Sequence, residues 1–186
     1  MISGGFLNMK KGLFVTTLVA CSALLLAGCA SEVSLEDAKK HCDENFTSTE
    51  VKTFDVHMKN EVKKVSGVFE SAYKVGVEEQ DATTQSGVVS SSDLDYYGDA
   101  ATYKVDGKAL IITIKADVKE YVEALMGKLP EDAKVSGEIY EEVKTDDAGY
   151  PASSYGKMEL DIDFAQGGIS IKGYVLVEST MTFKAK

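Results

Sequence analysis

Arginine is absent from this chain of 186 residues, and all 20 basic side chains are lysine. The planar, bidentate recognition of carboxylate and phosphate that a guanidinium supplies is therefore excluded. Tryptophan is absent too. Histidine occurs only at His41 and His57, and no spacing offers two His at metal-ligand separation. His41 stands beside Cys42, but adjacent residues on a helix point about 100° apart, so the two do not form a nucleophile and its base. No Gly-x-Ser-x-Gly turn is present to activate a serine. Against the 20 Lys stand 30 Asp and Glu, a net charge of −10. Such a balance excludes nucleic acid as a partner, because phosphates bind basic surfaces. We expect no enzyme, no cofactor and no metal site.

What is present begins with an address. Lys10-Lys11, the apolar run "GLFVTTLVACSALLLA" and small residues after it have the layout of an export signal. The run is shorter than the about 20 residues needed to cross a bilayer, and no later stretch approaches that length. Met9 starts this signal better than Met1 does, so residues 1–8 read as a mis-assigned start or a short cytosolic extension. Leu26-Ala27-Gly28-Cys29 resembles the lipobox of bacterial lipoproteins. The resemblance implies cleavage after residue 28, acylation of Cys29 (palmitate or a similar chain) and attachment to the outer side of the cell membrane. Two or more acyl chains, at about 0.8 kcal/mol per buried methylene, make such an anchor stable. The expected organisation is a signal peptide at 1–28, a short tether at 29–33 and one exported domain at 34–186. With Lys10 and Lys11 removed, 18 Lys face 30 acids, a net of −12. Cys21 leaves with the signal and Cys29 is acylated, so Cys42 is left without a partner for an intramolecular disulfide.

Within the domain, Ser34 reads as a helix cap with Asp37 three residues on, and Leu35, Ala38, Cys42 and Phe46 share a face of a helix of about 13 residues. Alternation then predicts strands. In "TFDVHMKNEV" Phe54, Val56, Met58 and Val62 alternate with Asp55, His57 and Lys59. "VSGVFESAYKVGVEE" sets Phe69, Tyr73, Val75 and Val77 near one face, while "SGVVSSS" and "ATYKV" are weaker candidates. An Asp106-Gly107 turn leads into "ALIITIKA". A second helix is predicted over 118–129, capped by Asp117 with Glu120 and followed by Pro130, with Val118, Tyr121, Val122, Leu125, Met126 and Leu129 as its apolar stripe. "KVSGEIYEEVKT", an Asp-Asp-Ala-Gly turn and two long alternating strands around Gly167-Gly168 close the chain. The class is α+β: a strongly curved antiparallel sheet of about eight strands, a half-barrel, with two helices against its concave face.

Two acidic features and the tyrosines are the remaining candidate sites. Asp93-Leu94-Asp95-Tyr96-Tyr97-Gly98-Asp99 puts acids and Gly at positions 1, 3, 6 and 7 of an EF-hand loop, but Tyr97 and Lys104 occupy ligand positions 5 and 12. A hydrated acidic turn is the expectation. Glu159, Asp161 and Asp163 lie on one strand face, where solvent and Lys172 across the strand offset their charge. The Tyr residues suit strands without further explanation.

The lipobox, the amino-terminal helix, the continuous antiparallel sheet and Gly149-Tyr150-Pro151 followed by the alternating strand 157–164 together resemble the LolA/LppX-like lipoproteins. That resemblance implies a half-barrel whose concave apolar face holds a lipid or other apolar ligand. Phe54, Val56, Met58, Phe69, Tyr73, Met158, Leu160, Ile162, Ile171 and Val175 are the candidate lining, with helix 118–129 as a gate. The same side chains suit an ordinary core better than a ligand lining. In that case the domain is a surface interaction module for an envelope protein or wall polymer.

Overall fold

The computed structural model describes residues 30–186, the Asp99 side chain excepted; the signal segment and the proposed acylation site Cys29 lie outside the described residues. In chain order the elements are β1 (Ser31–Val33), α1 (Leu35–Asn45), β2 (Lys52–Gly67), a 3-10 turn (Val68–Ser71), β3 (Gly76–Ser86), α2 (Ser91–Tyr97), a second 3-10 turn (Gly98–Ala100), β4 (Ala101–Asp106), β5 (Ala109–Ala116), α3 (Val118–Met126), β6 (Lys134–Thr145), β7 (Pro151–Gln166) and β8 (Ile169–Ala185). All eight strands make one antiparallel sheet, in the order β1-β4-β5-β6-β7-β8-β2-β3. The sheet curves and stays open.

β4 to β8 form a meander of sequence neighbours, the pairing that short connections favour. β8 then lies against the early strand β2, in register from Phe54↔Ala185 to Gly67↔Gly173. A bulge between Val62 and Lys64 is the one irregularity there. The extra residue turns both Lys63 and Lys64 outward and lets Val65 face the core, opposite Val175.

The chain crosses the sheet twice, through 46–51 on the way to β2 and through 87–100 on the way back to β4. Both crossings are fastened at the turn before β7. Asp146 organises that turn by accepting from the backbone N–H groups of Ala148 and Tyr150, each at 2.9 Å. The buried Tyr150 donates to the Glu50 carbonyl at 3.1 Å, and its hydroxyl lies 2.7 Å from Ser48 Oγ. Val89 N–H donates to the Gly149 carbonyl at 2.9 Å. Gly149 has φ +90°, and a Cβ there would strike the Phe46 ring. Only glycine meets both conditions.

Both expected helices form with their expected caps. Ser34 Oγ accepts from Asp37 N–H at 3.1 Å, and Asp117 Oδ1 accepts from Glu120 N–H at 2.8 Å. They are shorter than the stripes suggested, because Phe46 and Leu129 are buried just beyond the last turns. α1, α2 and α3 all pack on the sheet face that carries Ile112, Ile139, Met158 and Leu160. That face is the concave one.

Four expectations need correction. The tether 29–33 is not free along its length: Ser31–Val33 pair with Tyr103–Val105 as an edge strand. The strand expected through Phe69 and Tyr73 is instead a corner. Gly67 takes φ +64°, and the 3-10 turn follows with Gly67 N–H donating to Glu70 Oε1 at 3.2 Å. The strand resumes only at Gly76 and runs to Ser86, through a stretch with no core-facing alternation. Of the weak "SGVVSSS" strand only Ser86 is in a strand, as the end of β3, and 87–90 carry no regular element; a third helix, α2, and the 3-10 turn after it take the place of the acidic turn at 93–99. Ser90 and Asp93 form a reciprocal capping box that nucleates it, and Leu94 anchors it at 0% exposure.

Candidate functional site

The candidate apolar lining divides between two packed clusters. Met158, Leu160, Ile162 and Val175 are 0–3% exposed beneath Val122 of α3, and Phe69, Tyr73 and Ile171 pack against the same group. Phe54 and Val56 belong to a second cluster with Tyr150 and Met181, and Met58 packs at its margin. A third cluster, of Ala38, Cys42, Phe46, Leu94, Tyr103, Leu110 and Ile112, fills the space under α1 and α2.

Strand register shows what lies between them. The inward row that crosses the middle of the sheet reads Ile114, Glu141, Gly156, Ser179, Asn60 and Glu78. Three side chains of that row are ionisable or amide, one is a hydroxyl and one position is glycine. Next to it, Ser154 is fully buried and its hydroxyl finds no partner among the described residues. The concave face is therefore an apolar floor under α3, a polar waist, and an apolar roof under α1 and α2. It is not one continuous greasy trough.

α3 and the corner after β2 both pack against the floor. Tyr121 Oη donates to Met158 Sδ at 3.7 Å, and burial pushes the phenols of Tyr73 and Tyr121 well above their ordinary value. The Cys42 thiol is pushed up to about 11, by burial first and then by the charges of Asp43 and Asp93. A thiol so placed is a small apolar side chain, poor as a nucleophile.

The convex face is a mosaic of paired charge. Lys157 lies 2.9 Å from Glu159 and 3.3 Å from Glu138, Tyr174 donates to Glu159 at 2.9 Å, and Lys172 meets Asp163 at 2.8 Å. The Lys157 ammonium, then the Tyr174 hydroxyl, hold the Glu159 carboxyl below the usual carboxylate range. A carboxylate lowered in this way is poorly suited to act as a general base near neutral pH. Glu159 and Asp163 of the acidic row are thus paired on a solvated face, with Lys172 in its anticipated role beside Asp163. His57 lies on the same face, 2.8 Å from Asp81, while His41 approaches the Lys108 carbonyl at 2.8 Å.

Shallow clefts open on the surface of the described residues. One, of about 290 Å³, is lined by Glu32, Val33, Leu35 and Tyr103 among others; another, of about 590 Å³, by Ser86–Val89, Ser92, Asp93, Tyr96 and Tyr97. Neither is lined by any of the ten candidate residues. Among the described residues no three His, Cys, Asp or Glu side chains group as metal ligands, and no helix is long and apolar enough to cross a membrane.

What the sequence reading missed is β3. Every residue from Gly76 to Gln85 is exposed on both faces of the strand, and β3 has no neighbour on its outer side among the described residues. The available signal was negative: "GVEEQDATTQS" carries strand-forming Val and Thr but no apolar set to bury. No family model, no curated protein and no solved structure matches this chain.

Proposed function

We propose that this chain is a lipid-anchored protein of the extracytoplasmic side of the cell membrane, non-enzymatic, whose folded domain works as an interaction module. The observation that favours interaction over ligand carriage is the division of the apolar face. Met158, Leu160, Ile162 and Val175 are consumed by one core and Phe54 and Val56 by another, with Glu141, Gly156, Ser179 and Asn60 between them. An acyl chain laid along the concavity would have to cross that polar row, where apolar contact gains nothing and burying a polar group without a partner costs about 1–3 kcal/mol. The lipid in this picture is the covalent one on Cys29. Support for the anchor comes from Leu26-Ala27-Gly28-Cys29 and its basic and apolar prelude.

The test is an extraction. The full chain, expressed with its own leader in a bacterium, is purified from membranes and its intact mass and extractable lipids are measured. The expected result is an N-terminal acylated Cys29 and no stoichiometric extractable lipid, with Cys29→Ala leaving the membrane fraction. A stoichiometric, extractable lipid would restore the carrier reading, and an unmodified Cys29 would remove the anchor.

A further inference from the structure

We propose that the free edge of β3 is the docking surface, and that its occupant is an extended Lys- or Arg-rich segment of another envelope protein, added as a ninth strand. This rests on the interaction reading above and names the chemistry of the partner.

Unpaired edges are a liability that folded proteins blunt with Pro, Lys, a bulge, a short strand or a covering element. The edge at β1 follows that rule, being only three residues long. The edge at β3 has none of these, and its one protection is the charge of Glu78, Glu79 and Asp81. It is 11 residues long, has neither Pro nor Lys, and pairs with β2 without a register shift from Lys52↔Ser86 to Val62↔Gly76. About half of its backbone N–H and C=O groups point away from β2, the pattern a strand-adding peptide requires.

Charge selects among occupants. Residues 75–103 contain no Lys but six acids, of which Glu78, Glu79 and Asp81 lie on β3 itself. A second copy paired edge to edge would set three carboxylates from each chain along one seam with no cation between them. Like charges facing each other across strands are destabilising, so this edge rejects its own kind. A basic strand meets the opposite condition, placing ammonium or guanidinium groups opposite Glu78 on one face and Glu79 on the other. Asp81 is less available, since it already meets His57.

Position adds a second argument. Residue 30 alone separates Cys29 from β1, which lies at one edge of the sheet, and β3 lies at the other. Seven strand spacings of about 4.8 Å put the free edge about 34 Å from the anchored one, measured along the sheet. The lipid would thus hold the protected edge near the bilayer and present the open one away from it.

Two measurements test this. In the native membrane, a benzophenone side chain is placed at Thr83 on the edge or at Tyr96 on α2, and cross-linked peptides are mapped by mass spectrometry. The expected result is a cross-link from Thr83 into a Lys- or Arg-rich segment, reduced at least tenfold by Glu78→Lys with Glu79→Lys. A cross-link from Tyr96 alone, or from Thr83 to a segment without basic residues, overturns the edge proposal and leaves the interaction module standing. No cross-link from either position overturns both. In solution, a ten-residue alternating Lys-Thr peptide added to the full chain should slow amide exchange within residues 76–86. Its Glu-Thr counterpart should do so only with the doubly substituted chain. Equal protection by both peptides, or protection confined to other strands, contradicts the proposal.

Discussion

β7 and β3 belong to one sheet, with β8 and β2 between them, and they differ in almost every physical respect. Along β7 the alternate residues Ser154, Gly156, Met158, Leu160, Ile162 and Phe164 are all buried, and both strand edges are paired. Along β3 no residue is buried and one edge is open. β7 has a ladder on each side and β3 on one side only, and the strands differ further in what their side chains can bury. β7 holds the fold together because its inward set meets α3 and its neighbours. β3 contributes little to the core and is held mainly by its ladder with β2. A strand that stabilises the fold little is free to serve a partner, and stability and availability are divided between these two strands.

The contrast can be broken most strongly from the β7 side. Leu160→Ala removes a fully buried side chain from the cluster under α3 and should cost about 2–5 kcal/mol, read as a lowered denaturation midpoint in urea. A loss below 1 kcal/mol would mean that this cluster is loosely packed and that the concavity has room for a ligand. Gly149→Ala tests the clasp that fastens both sheet crossings. The positive φ and the collision with Phe46 together predict a loss of about 2–4 kcal/mol, with the crossings 46–51 and 87–90 exchanging amide hydrogens faster.

Cys42 offers a lever that acts by pH. Its folded value is raised to about 11 from 9.0, so the unfolded chain releases this proton first. The contribution of the neutral thiol is complete below about pH 9 and is lost as pH rises towards 11. Urea midpoints at pH 8 and pH 10.5 should therefore fall further in the parent than in Cys42→Ala, and the native thiol should resist alkylation at pH 8. A thiol alkylated at the rate of a free cysteine would show that α1 does not seal its core. The smallest effect belongs to β3: Glu78→Lys with Glu79→Lys should shift stability by less than about 0.5 kcal/mol. A larger loss would mean that the edge carries structural weight.

Local signals were the legible ones. Ser34 and Asp117 announced α1 and α3 because capping is a relation between residues three apart. The closing strands were plain where Met158–Phe164 and the residues after Gly168 repeat one alternating signal, while the first half of β7, Pro151–Lys157, carries no apolar alternation and was not announced. α2 escaped because a seven-residue helix with a single buried anchor, Leu94, leaves no period to detect. The corner at 68–75 escaped because apolar residues at strand-like spacing turn inward there under the control of Gly67 and of packing against α3. The divided lining was out of reach for another reason. Glu141, Gly156, Ser179 and Asn60 are far apart in the sequence, and only the register of four strands puts them in one row. The open edge is likewise a property of strand order, which no single stretch encodes.

The most direct test of the account compares the full chain in its native membrane with the purified chain by amide hydrogen exchange. β3 should be protected in the membrane and lose that protection on purification in high salt, while residues 158–162 of β7 remain equally slow in both states. Unchanged β3 together with loosened exchange at 158–162 after purification would contradict it, because that is the behaviour of a carrier that has lost its ligand.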